Sequence, residues 1–340
     1  MSNVRKLYFL VPGTTGKFGG GGLWAELKTC NLAAKICDTE VVTYRQREEN
    51  FAFLTDILEE NQPKSCIYVI GWGFDVPKII PQLKGQNIIY HAHSAGYGFK
   101  IAPDIPIITV SRNTMGYWGE KSANGLIYFL PNQISDEFCN LHQPRDIDVI
   151  VQTRKSSEYL LNFLIPALES RYRVEIVDSY VQDLAGLFNR SKIYLYDSAE
   201  YWATNGVTEG FGLPPLEALA CGCQIFSSVN HGLSDFLDPA FNCHKIAGSS
   251  LDFDLYKIAQ VLQQHQPPRV EALIAQYRAD SLEPRFRQIL TEINDFYTWR
   301  DLQLEQNQAL TPIKSLNRQR VFDLKIQKIL TKLQQKLKRK

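Results

Sequence analysis

The chain of 340 residues is 44% hydrophobic and 21% charged with a net charge of +1, which excludes disordered, collagen-like and disulfide-scaffold classes and fits an ordinary soluble globular protein. No apolar run approaches the ~18–20 residues that span a bilayer, and the length predicts two domains plus an appendage. The charge is uneven: ten Lys/Arg against the single acid Asp323 put +9 on residues 314–340 and leave −8 on the rest, which bears on partners rather than on fold.

The N-terminal stretch lacks a full signal-peptide core, so KLYFLVP (6–12) reads as a strand and not as an export signal. GTTGKFGGGG (13–22) is a glycine loop, and LWAELKTCNLAAKI (23–36) carries Leu23, Leu27, Ala34 and Ile36 in helical spacing. EVVTY is a strand, NFAFLTDILEEN a helix, SCIYVIG a strand and VPKIIPQLK a short helix; the strands NIIYHAH, IPIITVS and GLIYFLPN follow. Alternating strands and helices predict βαβ units in a parallel sheet covered on both faces.

The pattern weakens at CNLHQPRD (139–146), read as an interdomain linker, and then restarts. IDVIVQT, YRVEIVD, KIYLYDS and CQIFSSV are strands, separated by the helices SSEYLLNFLIPALES, VQDLAGLFNRS and PPLEALACG. This is a second doubly wound unit, and ligands in such units bind at the carboxyl ends of the strands. DLYKIAQVLQQH, RVEALIAQYRAD and PRFRQILTEINDFYTWRDLQLEQ continue as helices, the last of them long. The seven cysteines show neither a Cys-x-x-Cys pair nor zinc spacing, so reduced thiols of a cytoplasmic protein are expected.

Two loops carry candidate chemistry. The glycine loop follows a strand and opens a helix, where backbone amides and the positive helix end can hold an anion. Its glycines, Gly20 and Gly21 among them, match neither the dinucleotide fingerprint nor the P-loop, and a flexible turn is the plainer alternative. The stretch TEGFGLPPLEALACGC (208–223) is more specific. Pro214 and Pro215 fit a first helical turn, and Gly222 fits the stop. The amides of Gly210, Phe211, Gly212 and Leu213 then stand at the helix head, where a diphosphate docks. Glu217, one turn inside, can take two hydrogen bonds from a ribose diol, and Glu209, on the other side of the docked phosphates, could meet the group attached to them.

EGFGLPPLEALACGC resembles the E-x7-E motif of retaining glycosyltransferases of the GT-B fold, family 4 (glycosyl transferases group 1). GGGGLWAEL, YHAHSAGYG, ITVSRN, YFLPNQI and QDLAGLFNRSKIYLYDS are similar to that family's landmarks in the same order, over about residues 5 to 240. The resemblance implies that Glu209 contacts the transferred sugar, that Glu217 holds the ribose, and that His93 lies at the reactive position. Lys155 and Arg154 would bind the donor diphosphate, although the family separates these two cations and here they are adjacent. The link AEYWATNGVT before Glu209 is longer than usual and could line the sugar or acceptor pocket; Asp235 stands where an acid is common.

What the resemblance implies for the whole chain is an α/β protein with two Rossmann-like doubly wound domains facing a central cleft. Residues 1–143 would form the acceptor domain and 144–285 the nucleotide-sugar domain. A crossover helix region, 286–312, would return to the first domain, ahead of a basic amphipathic tail, 313–340. The donor would be a nucleoside diphosphate-sugar and the acceptor a carbohydrate or lipid-linked hydroxyl, with no cofactor, no metal and no nucleic acid. A nucleotide-sugar epimerase or phosphorylase of the same fold, and a non-catalytic sugar-nucleotide binder, are the rival readings.

The tail can form an amphipathic helix with Phe322, Ile326, Ile329, Leu330, Leu333 and Leu337 on one face and Lys325, Lys328, Lys332 and Lys336 around it. Such a helix can lie on the anionic inner face of a membrane, or remain solvated or self-associated.

Overall fold

The computed structural model describes residues 4–60, 66–122, 124–246, 250–306 and 318–337. The first half builds a seven-stranded sheet from β1 (Lys6–Val11), β2 (Thr39–Thr43), β3 (Ala52–Phe53), β4 (Cys66–Ile70), β5 (Asn87–Ala92), β6 (Ile107–Thr109) and β7 (Ile127–Phe129). The strands are parallel, in the order β3-β2-β1-β4-β5-β6-β7. The connections hold α1 (Gly21–Ala34), α2 (Leu54–Glu59), α3 (Val76–Ile79) and α4 (Arg112–Lys121). The strands read as near-continuous apolar runs because both faces are buried. Tyr8, Leu10, Tyr68 and Ile70 supply one core, and Leu7, Phe9, Ile67 and Val69 the other.

The second half builds a five-stranded parallel sheet from β8 (Ile147–Gln152), β9 (Val174–Val177), β10 (Ser191–Tyr196), β11 (Gln224–Ser227) and β12 (Cys243–Lys245), in the order β12-β11-β10-β8-β9. Around it lie α5 (Ile165–Glu169, entered through a π-helical turn), α6 (Leu184–Arg190), α7 (Ala199–Thr204), α8 (Leu213–Ala220), α9 (Leu251–Gln263) and α10 (Glu271–Ala275). The strand order reverses between β1 and β4 in the first sheet and between β8 and β10 in the second. Those reversals open crevices at the carboxyl ends of these strands.

The long helix α11 (Ala279–Glu305) returns to the first sheet. Leu282, Phe286, Ile293 and Tyr297 pack into the core of Leu7 and Phe9. The Tyr297 hydroxyl donates to the Ile88 carbonyl at 2.5 Å and accepts from the Ile88 amide at 3.1 Å. α12 (Arg318–Leu337) follows. Residues 307–317 and 338–340, the side chains of Leu333, Lys336 and Leu337, and the junction expected at 312–313 lie outside the described residues.

Local departures from the expected elements have physical causes. The helix expected over 50–61 is shortened, because Ala52–Phe53 pair with Val42–Thr43 as an edge strand. α4 was not anticipated: RNTMGYWGEK holds two glycines and little apolar periodicity, and a Ser111–Thr114 capping box starts it. α11 begins at Ala279, ahead of the boundary expected at 285, since Leu282 already belongs to the first-domain core.

Candidate active site

The second domain presents its crevice between β8 and β10. After β8 the chain turns at Thr153–Ser156, and Lys155 takes a left-handed backbone (φ 73°), uncommon for a residue with a side chain. Its half-buried ammonium lies 4.4 Å from the centroid of the Trp202 ring. Burial lowers the Lys155 pKa and the Arg154 charge adds to this, while Glu209 opposes them. Arg154 itself is exposed.

After β10 come Ser198, α7 and Glu209. The Glu209 carboxylate is 4% exposed. One of its oxygens, Oε2, accepts from the Tyr196 hydroxyl, from Trp202 Nε1 at 2.7 Å and from Ser198 Oγ at 3.3 Å. Its amide faces His231 Nδ1 at 3.4 Å, and its carbonyl accepts from the Gly232 amide at 3.0 Å. Val229 (φ 48°) and His231 (φ 52°) are both left-handed in that supporting loop.

Gly212 (φ 93°) is the N-cap of α8, and Leu233 leaves no room for a Cβ there. The amides of Gly210–Leu213 therefore head α8, with Pro214 and Pro215 in its first turn. The Phe211 ring turns into the core against Phe236 and Tyr277, so its backbone alone faces the helix head. Glu217, one turn in, is 7% exposed. Burial pushes its carboxyl up to about 7, against the pull of Lys28 on α1 across the cleft.

The first domain contributes the loop after β5. His93 Nε2 and His91 Nδ1 contact one oxygen of Glu26, on α1, at 2.5 and 2.6 Å. These are close hydrogen-bond separations. Burial pushes the Glu26 carboxyl up, but the two histidines outweigh it and hold it low. Burial, then the neighbouring His91, lowers the His93 pKa and favours the neutral ring. Gly71 makes the space, since a Cβ there would sit 2.8 Å from Glu26 Cδ.

The two domains are stitched together beside His93. Ser94 Oγ donates to the Thr208 carbonyl at 2.7 Å, and the Thr208 amide to the Ala95 carbonyl at 3.2 Å. The His93 carbonyl leaves no space for a side chain at Gly210. Asp235 Oδ2 accepts the Arg112 amide at 2.8 Å and so caps α4 across the interface.

His93, Lys155, Glu209, Gly210, Gly212 and the head of α8 are thus brought to one cleft. Arg154 points to solvent, and Gly20 and Gly21 stand in open space at the exposed head of α1. Glu26, His91, Tyr196, Ser198 and Trp202 were not singled out by sequence. Glu26 left a signal, as an acid at i+3 from Leu23 and i−4 from Cys30 on the buried stripe of α1. The Asp-x-Asp triplets of the chain lie elsewhere. Asp146 pairs with Arg173 and Arg190, and Asp148 with Lys192, at the opposite end of β8; Asp254 takes the Tyr159 hydroxyl on α9.

No family model and no curated protein matches this sequence. Solved structures do resemble it. HepE of Anabaena, in complex with UDP and glucose, superposes with a TM-score of 0.61 at 13% identity, over 85% of this chain and 100% of that one. A glycosyltransferase from Rickettsia africae gives 0.60 at 12%, over 86% and 99%. Sucrose-phosphate synthase from Thermosynechococcus elongatus gives 0.53 at 15%, over 89% and 100%. With two doubly wound domains meeting at the carboxyl ends of their strands, the chain has the GT-B fold.

Proposed function

We propose that this protein is a glycosyltransferase that moves a sugar from a nucleoside diphosphate-sugar to an acceptor hydroxyl with retention of configuration. The observation that carries the reading is the convergence of Glu209, Lys155 and the amides heading α8 on one crevice, with His93 facing them from the other domain. Structures of the same fold hold UDP and UDP-glucose, which supports a uridine nucleotide as the first donor to try.

In this mechanism the second domain holds the donor and the first receives the acceptor. Glu217 binds the ribose diol, and the diphosphate lies on the amides of Gly210–Leu213 and against Lys155. As the sugar–phosphate bond breaks, negative charge grows on the diphosphate and positive charge on the sugar ring. Lys155 and the helix dipole stabilise the first in a site already arranged for it. Glu209 Oε1, which takes none of the three cage bonds, faces the sugar, and the neutral His93 hydrogen-bonds a sugar hydroxyl. Arg154 adds field from the rim, and the open amides around Gly20 and Gly21 extend the anion-binding rim on α1. The reaction proceeds without metal or cofactor.

The acceptor is a lipid-linked or cell-surface carbohydrate, and α12 holds the enzyme at the cytoplasmic face of an anionic membrane. In α12 the exposed apolar side chains of Phe322, Ile326, Ile329 and Leu330 lie among Lys325, Lys328 and Lys332. A basic amphipathic helix of this kind docks in a lipid interface. Among the described residues no helix is long and apolar enough to cross a membrane. The test is a thermal-shift panel of nucleotide-sugars followed by product analysis with and without acceptor. Stabilisation by none of them overturns the donor assignment, and sugar conversion in the absence of acceptor favours an epimerase.

A further inference from the structure

The connection between β10 and Glu209 is long, and α7 within it delivers one side chain to two groups of the site. The Trp202 indole N–H donates to Glu209 Oε2 at 2.7 Å, and the face of the same ring lies 4.4 Å from Lys155 Nζ. The chemistry suits both contacts: an indole N–H can only donate, which fits a carboxylate, and its π face attracts a cation. The ring is held in place. Tyr201 packs edge-on against it at 5.0 Å, the Trp202 amide bonds to the Ser198 carbonyl at 3.1 Å, and the Val207 amide bonds to the Trp202 carbonyl at 3.3 Å. The end of the segment is pinned to the other domain, where the Gly206 carbonyl lies 2.6 Å from the place a Cβ on Gly96 would occupy.

We propose that Trp202 is a positioning residue of the nucleotide-sugar site, whose N–H orients the Glu209 carboxylate and whose ring seats the Lys155 ammonium for the diphosphate. The proposal rests on the glycosyl-transfer reading above. Glu209 has two further donors, Tyr196 and Ser198, so losing the indole N–H leaves it bound but less constrained. Lys155 has the ring face 4.4 Å from its ammonium and leaves the chain from a left-handed turn, so the indole is the surface its side chain lies against. The two contacts use different parts of the indole and are therefore separable.

The experiment compares W202F, which keeps a π face without the N–H, with W202A, which keeps neither, in the full-length protein. Three quantities are measured: UDP binding by calorimetry, steady-state release of UDP from UDP-glucose, and the pH midpoint for amine labelling of Lys155 by mass spectrometry without ligand. W202F is expected to bind UDP as the wild type does, with kcat lowered roughly tenfold and KM unchanged. W202A is expected to weaken UDP roughly tenfold as well. It also shifts the Lys155 midpoint away from the wild-type value, because removing the ring changes both the hydration of the ammonium and the attraction of the π face. If both variants keep UDP affinity, kcat and the labelling midpoint within about twofold of wild type, Trp202 only packs and the proposal falls. If the wild type neither binds UDP nor releases it from UDP-glucose while the Lys155 midpoint still moves, the donor reading falls and the ring's hold on Lys155 stands.

Discussion

The carbonyl oxygen of His93, in the first domain, occupies the space that a side chain at Gly210, in the second, would need. The candidate reactive histidine and the first amide after Glu209 are therefore set against each other by the absence of a single carbon. G210A should cost about 1–3 kcal/mol through overpacking and should also push the domains apart. Small-angle scattering should show a larger radius, and UDP-glucose turnover should fall more than UDP binding. An unchanged radius with full turnover would show that this contact is not needed for closure.

The cage around Glu209 makes its charge testable apart from its shape. E209Q keeps the size of the side chain but loses the full negative charge facing the sugar. It should lower kcat by about 10²–10³-fold, in the range seen when one electrostatic group is removed from an active site, with UDP affinity nearly unchanged. K155A should weaken UDP binding and lower turnover together. Wild-type turnover in both variants would remove the proposed mechanism.

Glu217 gives a pH signature. Its ordinary value is 4.5 and its folded value about 7. Below pH 4.5 the folded and unfolded chains both hold the proton. Between 4.5 and 7 the folded chain alone keeps it, so this group's contribution to stability falls as pH rises and levels off above 7. E217Q should flatten that part of the melting-temperature profile. UDP affinity in the wild type should rise through pH 7 as the carboxylate ionises to accept the ribose diol, and E217Q should bind UDP weakly at every pH.

Glu26 behaves in the opposite sense. Its folded pKa is held below the ordinary 4.5, so its contribution is present above that pH and is lost as pH falls through the folded value. E26A should destabilise by about 1–3 kcal/mol for each histidine nitrogen left unpaired. The difference from wild type should be largest above pH 5 and shrink toward acid in urea unfolding. G71A should mimic part of the loss by crowding the carboxylate.

Removal of residues 314–340 should abolish sedimentation with vesicles rich in phosphatidylserine and leave UDP binding intact. High salt should weaken the binding of the full chain, since part of the attraction is electrostatic. Equal binding with and without the tail would end the membrane assignment.

The fold was legible because both sheets are buried on both faces, and apolar strands such as KLYFLV and CIYVI stand out against helical spacing. The extent of α8 was legible because a glycine before it, two N-terminal prolines and a terminal glycine mark its ends chemically. α7 was not, since AEYWAT is too short to show a period, and nothing in a lone tryptophan says which side chains it will meet. Phe211 illustrates the limit within the motif: the sequence placed it at the helix head, and packing sent its ring to Phe236 and Tyr277.

By itself, then, the sequence determined the two doubly wound units and the helix head between the glutamates, because periodicity and backbone chemistry act over a few residues. Tertiary structure alone decided that Glu26 holds His91 and His93, that Trp202 joins Glu209 to Lys155, and that Gly210 lies against His93. Those contacts link residues 7 to 117 positions apart, and their partners are chosen by how two sheets and their loops fill space, which no local pattern encodes.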